Sequence, residues 1–163
     1  MKKTNTARTI CYIICAALMI ALAAYQFMPF WTVGEDSTSL QGYTWFPDNH
    51  KTISKHFRTE INPDFKVNDV ILMPLIHLVV GILGAVLCVI MPKKLWIIVF
   101  PILDSVAGIL GCLTNPYIQM GNGWQIILVL SIAVGVTMII PTIQCIIRIY
   151  KWFVPDKLQV EVK

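Results

Sequence analysis

Apolar residues gather along this chain in four long blocks, at residues 10–30, 70–91, 95–113 and 124–147, and the connection between the first two is by far the longest and most polar. Each block is long enough to cross a hydrocarbon core about 30 Å thick, which takes roughly 20 helical residues. The pattern predicts an all-α integral membrane protein: one four-helix membrane domain over residues 1–163, a loop subdomain at 32–69 and a tail at 148–163. The first block also has features of a secretory signal, with Lys2, Lys3 and Arg8 ahead of it and Ala21-Leu22-Ala23 as a cleavage motif. Apolar residues continue past that motif through Tyr25, Phe27, Met28 and Phe30, so the block reads as an uncleaved anchor.

The links set the topology. Residues 92–94 leave room only for a tight antiparallel hairpin between helices 2 and 3. Residues 114–123 carry no charge and contain the turn signals Asn115-Pro116 and Gly121-Asn122-Gly123. An antiparallel four-helix bundle follows. Backbone polar groups are satisfied within each helix, so small residues are the expected means of close helix packing in lipid. Candidates are Ala17, Ala21 and Ala24 on helix 1, Gly81 and Ala85 on helix 2, Gly108 and Gly111 with Cys112 on helix 3, and Ser131 and Gly135 on helix 4. The tetrapeptide Gly-Ile-Leu-Gly occurs at 81–84 and again at 108–111, which reads as shared packing chemistry rather than duplication.

In the long loop, residues 34–37 read as a turn and the β-branched and aromatic content of 38–46 predicts a strand paired with 31–33. Pro47-Asp48-Asn49 then offers an N-cap for an amphipathic helix over 50–60, with Ile53, Phe57 and Ile61 at four-residue intervals. Pro63 and Asp64 end it, and Asn68 is placed to cap helix 2. That apolar stripe, with Trp45, forms the candidate interaction face of the loop. Its cover is the hairpin, the membrane surface or another protein.

Composition narrows the class. Charged residues make up 13% of the chain, against about 25% in soluble domains. This excludes a soluble enzyme, a disordered chain and a nucleic-acid-binding domain. The net charge of +4 matters less than its placement. Nine Lys and Arg residues fall before helix 1, between helices 2 and 3, or after helix 4; four lie in the long loop, beside six acidic residues. Positive-inside counting therefore predicts cytoplasmic termini and an extracellular loop in a multi-pass plasma-membrane protein. Trp31, Tyr117 and Trp124 are expected at the outer interface and Trp96, Tyr150 and Trp152 at the inner one, which leaves Trp45 as the tryptophan far from a boundary.

Candidate chemistry is sparse. Cys11, Cys15, Cys88, Cys112 and Cys145 all lie in apolar blocks, where thiols act as small hydrophobes, and the spacing of His50 and His56 turns them to different helix faces. No metal site, cofactor or catalytic constellation is expected. Asp104 is the unusual residue. An acid at mid-span costs about 2.5–3.5 kcal/mol on insertion scales, while the apolar residues around it return roughly 3–6 kcal/mol, so it belongs against protein. It shares a face with Gly108 and Cys112, and hairpin geometry brings His77 to a similar depth. The pair is either a register-fixing hydrogen bond or a proton or cation relay. Pro101 and Pro141 are expected to kink helices 3 and 4. The basic and aromatic run 148–153 suits anchoring against anionic lipid.

The plan of four helices, internal termini, a large first outer loop and a small second one resembles that of claudins, by analogy of topology only. Trp31 with Gly42 to Trp45 is similar to their first-loop W and G-L-W signature, whereas the paired loop cysteines of that family have no counterpart here. The resemblance implies topology and no family function or site residue. The expected role is a non-enzymatic scaffold or accessory subunit that associates laterally, with itself or with a larger membrane protein, and presents the loop. The alternative is an oligomeric transporter or channel subunit using Asp104.

Overall fold

The computed structural model describes residues 2–153 apart from Val67 and Lys93. Lys93, Lys157 and Lys163 of the charge count lie outside the described residues, as does most of the tail. Four helical stretches are long and apolar enough to cross a membrane: Thr6–Tyr25, Val70–Ile90, Leu95–Thr114 and Trp124–Tyr150. They form a four-helix arrangement in which helix 1 packs on helices 2 and 4, and helix 3 packs on helices 4 and 2. The loop between helices 1 and 2 folds into a cap at one end. Lys2 and Phe153, the first and last described residues, belong to the other end.

Helix 1 is α1, Lys2–Tyr25. Its buried face runs through Tyr12, Cys15, Ala16, Met19, Leu22 and Ala23. The face of Ala17, Ala21 and Ala24, expected to pack, is exposed instead. Lipid is as apolar as these side chains, so small size alone does not choose the inward side; the neighbouring helices fit the face that carries Tyr12, Met19 and Leu22, and Ile10, Ile13, Ile14 and Ile20 stay outside with the alanines.

Helix 2 comprises α4, Asn68–Ile76, a π-helical turn, His77–Gly81, and α5, Ile82–Ile90. Asn68 is thus the first helical residue, not a cap. Pro74 lies inside α4, where it lacks the N–H for one backbone bond, and the wider π turn begins three residues later. Helix 3 opens as a 3₁₀ turn, Leu95–Ile98, and continues as α6, Val99–Thr114. Pro101 therefore sits in the first turn of α6, where a missing N–H is tolerated, rather than kinking mid-helix. Asn115 caps the short α7, Pro116–Gln119, accepting from the N–H groups of Tyr117 and Ile118 at 3.0 and 3.4 Å. Helix 4 is broken: α8, Trp124–Thr137, gives way at Met138 to α9, Ile139–Phe153. Pro141 cannot donate to the carbonyl four residues back, at Thr137, which explains the break there.

The cap departs from the expected hairpin. Strand β1, Trp31–Val33, pairs with β2, Asp36–Thr38, across the two-residue turn Gly34-Glu35. Gly34 has φ +62°, the left-handed value required at the first position of a type II′ turn. The strand expected over 38–46 ends at Thr38 and becomes α2, Leu40–Trp45. Ser39 starts that helix, its Oγ accepting from Gly42 N–H at 2.6 Å. Helix α3, Pro47–His56, begins at Pro47 itself with Phe46 as N-cap and no capping side chain, so Asp48 and Asn49 are helical. It continues as a second π turn, Phe57–Ile61.

Candidate functional site

Two places concentrate polar or aromatic chemistry: the middle of the bundle and the cap. In the bundle, the π turn of helix 2 presents His77, and α6 presents Asp104 toward it. His77 Nδ1 lies 2.8 Å from Asp104 Oδ1, and both side chains are 0% exposed. The bond can be made in two ways: Nδ1–H donates to an ionised carboxylate, or a protonated carboxyl donates to a bare Nδ1. In either case His77 Nε2 and Asp104 Oδ2 have no partner among the described residues.

Glycines make this approach possible. A Cβ on Gly81 would stand 3.1 Å from Asp104 Oδ1, and one on Gly108 would fall on Ser131 Oγ and 3.1 Å from His77 Cε1. The carboxylate and imidazole thus occupy space that side chains at 81 and 108 would claim. Ser131 Oγ donates to Ile127 O and Ser105 Oγ donates to Ser131 O, both at 2.7 Å, so helices 3 and 4 are tied beside the pair. Gly135 faces Ser105 and Gly111 faces Met73, while Ala85 is buried on helix 2 next to Gly84, which approaches Met19 and Phe100. Gly84 belongs with Gly81 to the repeated tetrapeptide, and that repeat is the sequence signal for its close approach. Pro74 was a further signal, for the π turn that carries His77. Among the described residues, no group of three or more His, Cys, Asp or Glu side chains is placed to hold a metal.

At the terminus-bearing end, Arg8 is buried and its Nε has no partner among the described residues, as is true of the Tyr12 hydroxyl one turn deeper. Arg8 therefore does not extend freely from the helix.

The cap is built around aromatic rings. Phe57 lies 5.8 Å from Trp31, 4.9 Å from Phe65 and 5.3 Å from Tyr117, and Tyr43 lies 4.9 Å from Trp31, between ring centroids. These are edge-on or tilted contacts of the kind that aromatic quadrupoles favour. Hydrogen bonds fasten this cluster to the second loop: Trp31 Nε1–H donates to Tyr117 O at 3.1 Å, Asn62 Nδ2 to Tyr117 Oη at 2.8 Å, and Asn122 N–H to Phe30 O at 2.6 Å. Trp31 and Tyr117, expected at the interface belt, are buried cap residues. Trp96, Tyr150 and Trp152 are exposed at the other end.

The four residues of the candidate loop face are divided between two environments. Ile53 and Phe57 are buried in the cap, whereas Trp45 and Ile61 are 54% and 40% exposed. The π turn separates Ile61 from the stripe, because its wider winding no longer aligns positions four apart. Comparison with protein-family models, curated proteins and solved structures finds no match for the chain. The likeness to claudins is therefore one of helix number and loop order.

Proposed function

We propose that this protein is a small polytopic plasma-membrane scaffold or accessory subunit without catalytic activity, with cytoplasmic termini and an extracellular cap. It associates laterally with itself or with a larger membrane protein. The observation that carries this reading is the construction of the cap, whose aromatic core is bolted to the second loop by the Trp31, Asn62 and Asn122 hydrogen bonds. A surface held this way is ordered before a partner arrives, which lowers the entropy lost on binding. The polar side of α3 and of the π turn that continues it, with Lys51, Lys55 and Arg58 exposed, faces outward from that core beside the exposed Ile61.

Purification in a gentle detergent followed by mass measurement tests the reading. The expected result is a homo-oligomer or a stoichiometric complex with another integral membrane protein; a bare monomer that binds nothing when returned to native membranes would sink it. Orientation is tested separately in a cysteine-free background. Ser37→Cys and Asn122→Cys are expected to react with an impermeant maleimide on intact cells, and Thr4→Cys and Lys157→Cys to react only after permeabilisation. Labelling at Thr4 on intact cells reverses the assignment.

One observation favours a second reading, an oligomeric transporter or channel subunit: the unpartnered His77 Nε2 and Asp104 Oδ2 at mid-bundle. Buried ionisable residues in spans commonly mark proton or ion paths. The complete burial of both side chains leaves the pair without an open route in this conformation, which is why the scaffold reading ranks first.

A further inference from the structure

The tryptophan that the span boundaries left unexplained acquires a place once the loop is folded. Helix α2 packs against α4, the first part of helix 2, and Gln41 N–H donates at 3.2 Å to the carbonyl of Gln26, which immediately follows helix 1. Although Trp45 is twenty residues from the end of helix 1 in sequence, its helix lies across the ends of two spans. The inward side of α2 buries Leu40 and Tyr43, and its final turn leaves Trp45 and then Phe46 exposed, at 54% and 59%. Phe27 and Met28, just beyond helix 1, and Leu72 on α4 are also exposed apolar residues at this end.

We infer that Trp45 and Phe46 dock on the lipid bilayer, entering the headgroup–acyl boundary on the cap side and holding the cap against the membrane. Two observations select lipid as the occupant. The pair is carried by a helix that packs on α4 and is hydrogen-bonded to the residue following helix 1, and both of those spans expose apolar residues, Phe27, Met28 and Leu72, at the same end. An indole followed by a phenyl ring also matches the residue chemistry enriched at that depth, where an aromatic body meets acyl chains and the indole N–H meets headgroups and water. Insertion of roughly 5–10 Å is typical of interfacial apolar faces. Proline at 47 then turns the chain into α3, whose exposed polar side stays in water. The anchor fixes the tilt of the cap and therefore the direction in which α3 is presented. This inference rests on the reading of the four helices as membrane spans.

The test uses the full chain reconstituted in phosphatidylcholine vesicles, with single nitroxide labels at Trp45→Cys, Phe46→Cys, Lys51→Cys and Leu72→Cys in a cysteine-free background. Collision with oxygen, which concentrates in lipid, is compared with collision with a water-soluble nickel chelate. Positions 45 and 46 are expected to shift toward the oxygen-rich behaviour of Leu72 and away from the nickel-accessible behaviour of Lys51. Nickel access equal to that at Lys51 would overturn the proposal, as would low access to both reagents, which would mean a protein cover. A Leu72 label that behaves like Lys51 would overturn the span reading itself, and the anchor with it. The native side chain gives a second measurement: vesicles of brominated phosphatidylcholine should quench the emission component that Trp45→Phe removes. If that component is unquenched while the remaining tryptophan emission is quenched, the lipid anchor is wrong even though the spans are right.

Discussion

Asp104→Leu is expected to destabilise the bundle by about 3–5 kcal/mol, the range for removing one partner of a buried pair. Asp104→Asn should cost roughly 0.6–1.7 kcal/mol, on the scale of interhelical hydrogen bonds measured in lipid. The difference comes from what each variant leaves at His77. Leucine offers no acceptor to Nδ1, so a fully buried imidazole loses its hydrogen bond to residue 104, and the branched side chain must fit where Gly81 leaves space for a flat carboxylate. Asparagine keeps the planar shape and an oxygen that accepts from Nδ1–H. Thermal unfolding in detergent checks the order, and equal losses for the two variants would show that the hydrogen bond does not hold the helices. The same pair of variants separates the two functional readings. For a scaffold, reconstituted wild type and Asp104→Asn show identical proton and cation flux. Wild-type flux that disappears in a folded Asp104→Asn protein would promote the transport reading.

Phe57→Asp is expected to unfold the cap while leaving the bundle inserted. Truncating a buried phenylalanine costs about 3–5 kcal/mol, and forcing a carboxyl among aromatic rings adds a desolvation penalty. Phe57 contacts rings from β1, from residue 65 and from α7, so its loss opens the cap from three sides at once. Trypsin added from the cap side should then cleave at Lys51, Lys55 and Arg58 much faster than in the wild type. Ile61→Asp is the matched comparison. It belonged to the same stripe in the sequence, but its side chain is exposed, so cleavage should stay close to the wild-type rate. Equal acceleration in both variants would mean that the aromatic cluster does not hold the cap together.

The way the loop stripe divides illustrates what was legible in the sequence. Ile53 and Phe57 recur at helical spacing and are buried, because α3 is regular up to His56 and delivers Phe57, the first residue of the π turn, in register with Ile53. The same count fails at Ile61, where π winding intervenes. The strand expected over 38–46 failed for another local reason. Its aromatic and β-branched residues fit a strand, but Ser39 is also an N-cap, and the cap bond to Gly42 commits the segment to helix. That signal was present in the sequence and was outweighed by composition.

The four apolar stretches and the short links between helices 2, 3 and 4 were determined by the sequence alone, because hydropathy over about 20 residues is a local sum that needs no partner. The need for Asp104 to avoid lipid was equally local, since it follows from the free energy of one side chain at one depth. Which face of each helix turns inward was decided by the tertiary structure: a helix that is apolar all round has no preferred side until its neighbours are placed, and so Ala17, Ala21 and Ala24 faced outward. The same holds for the cap. Its fastenings join residues 55 and 86 positions apart, and the His77–Asp104 bond spans 27. Contacts at such separations leave no periodicity in the chain, so only packing of the whole bundle could choose which aromatic rings became core and which, like Trp45, remained outside.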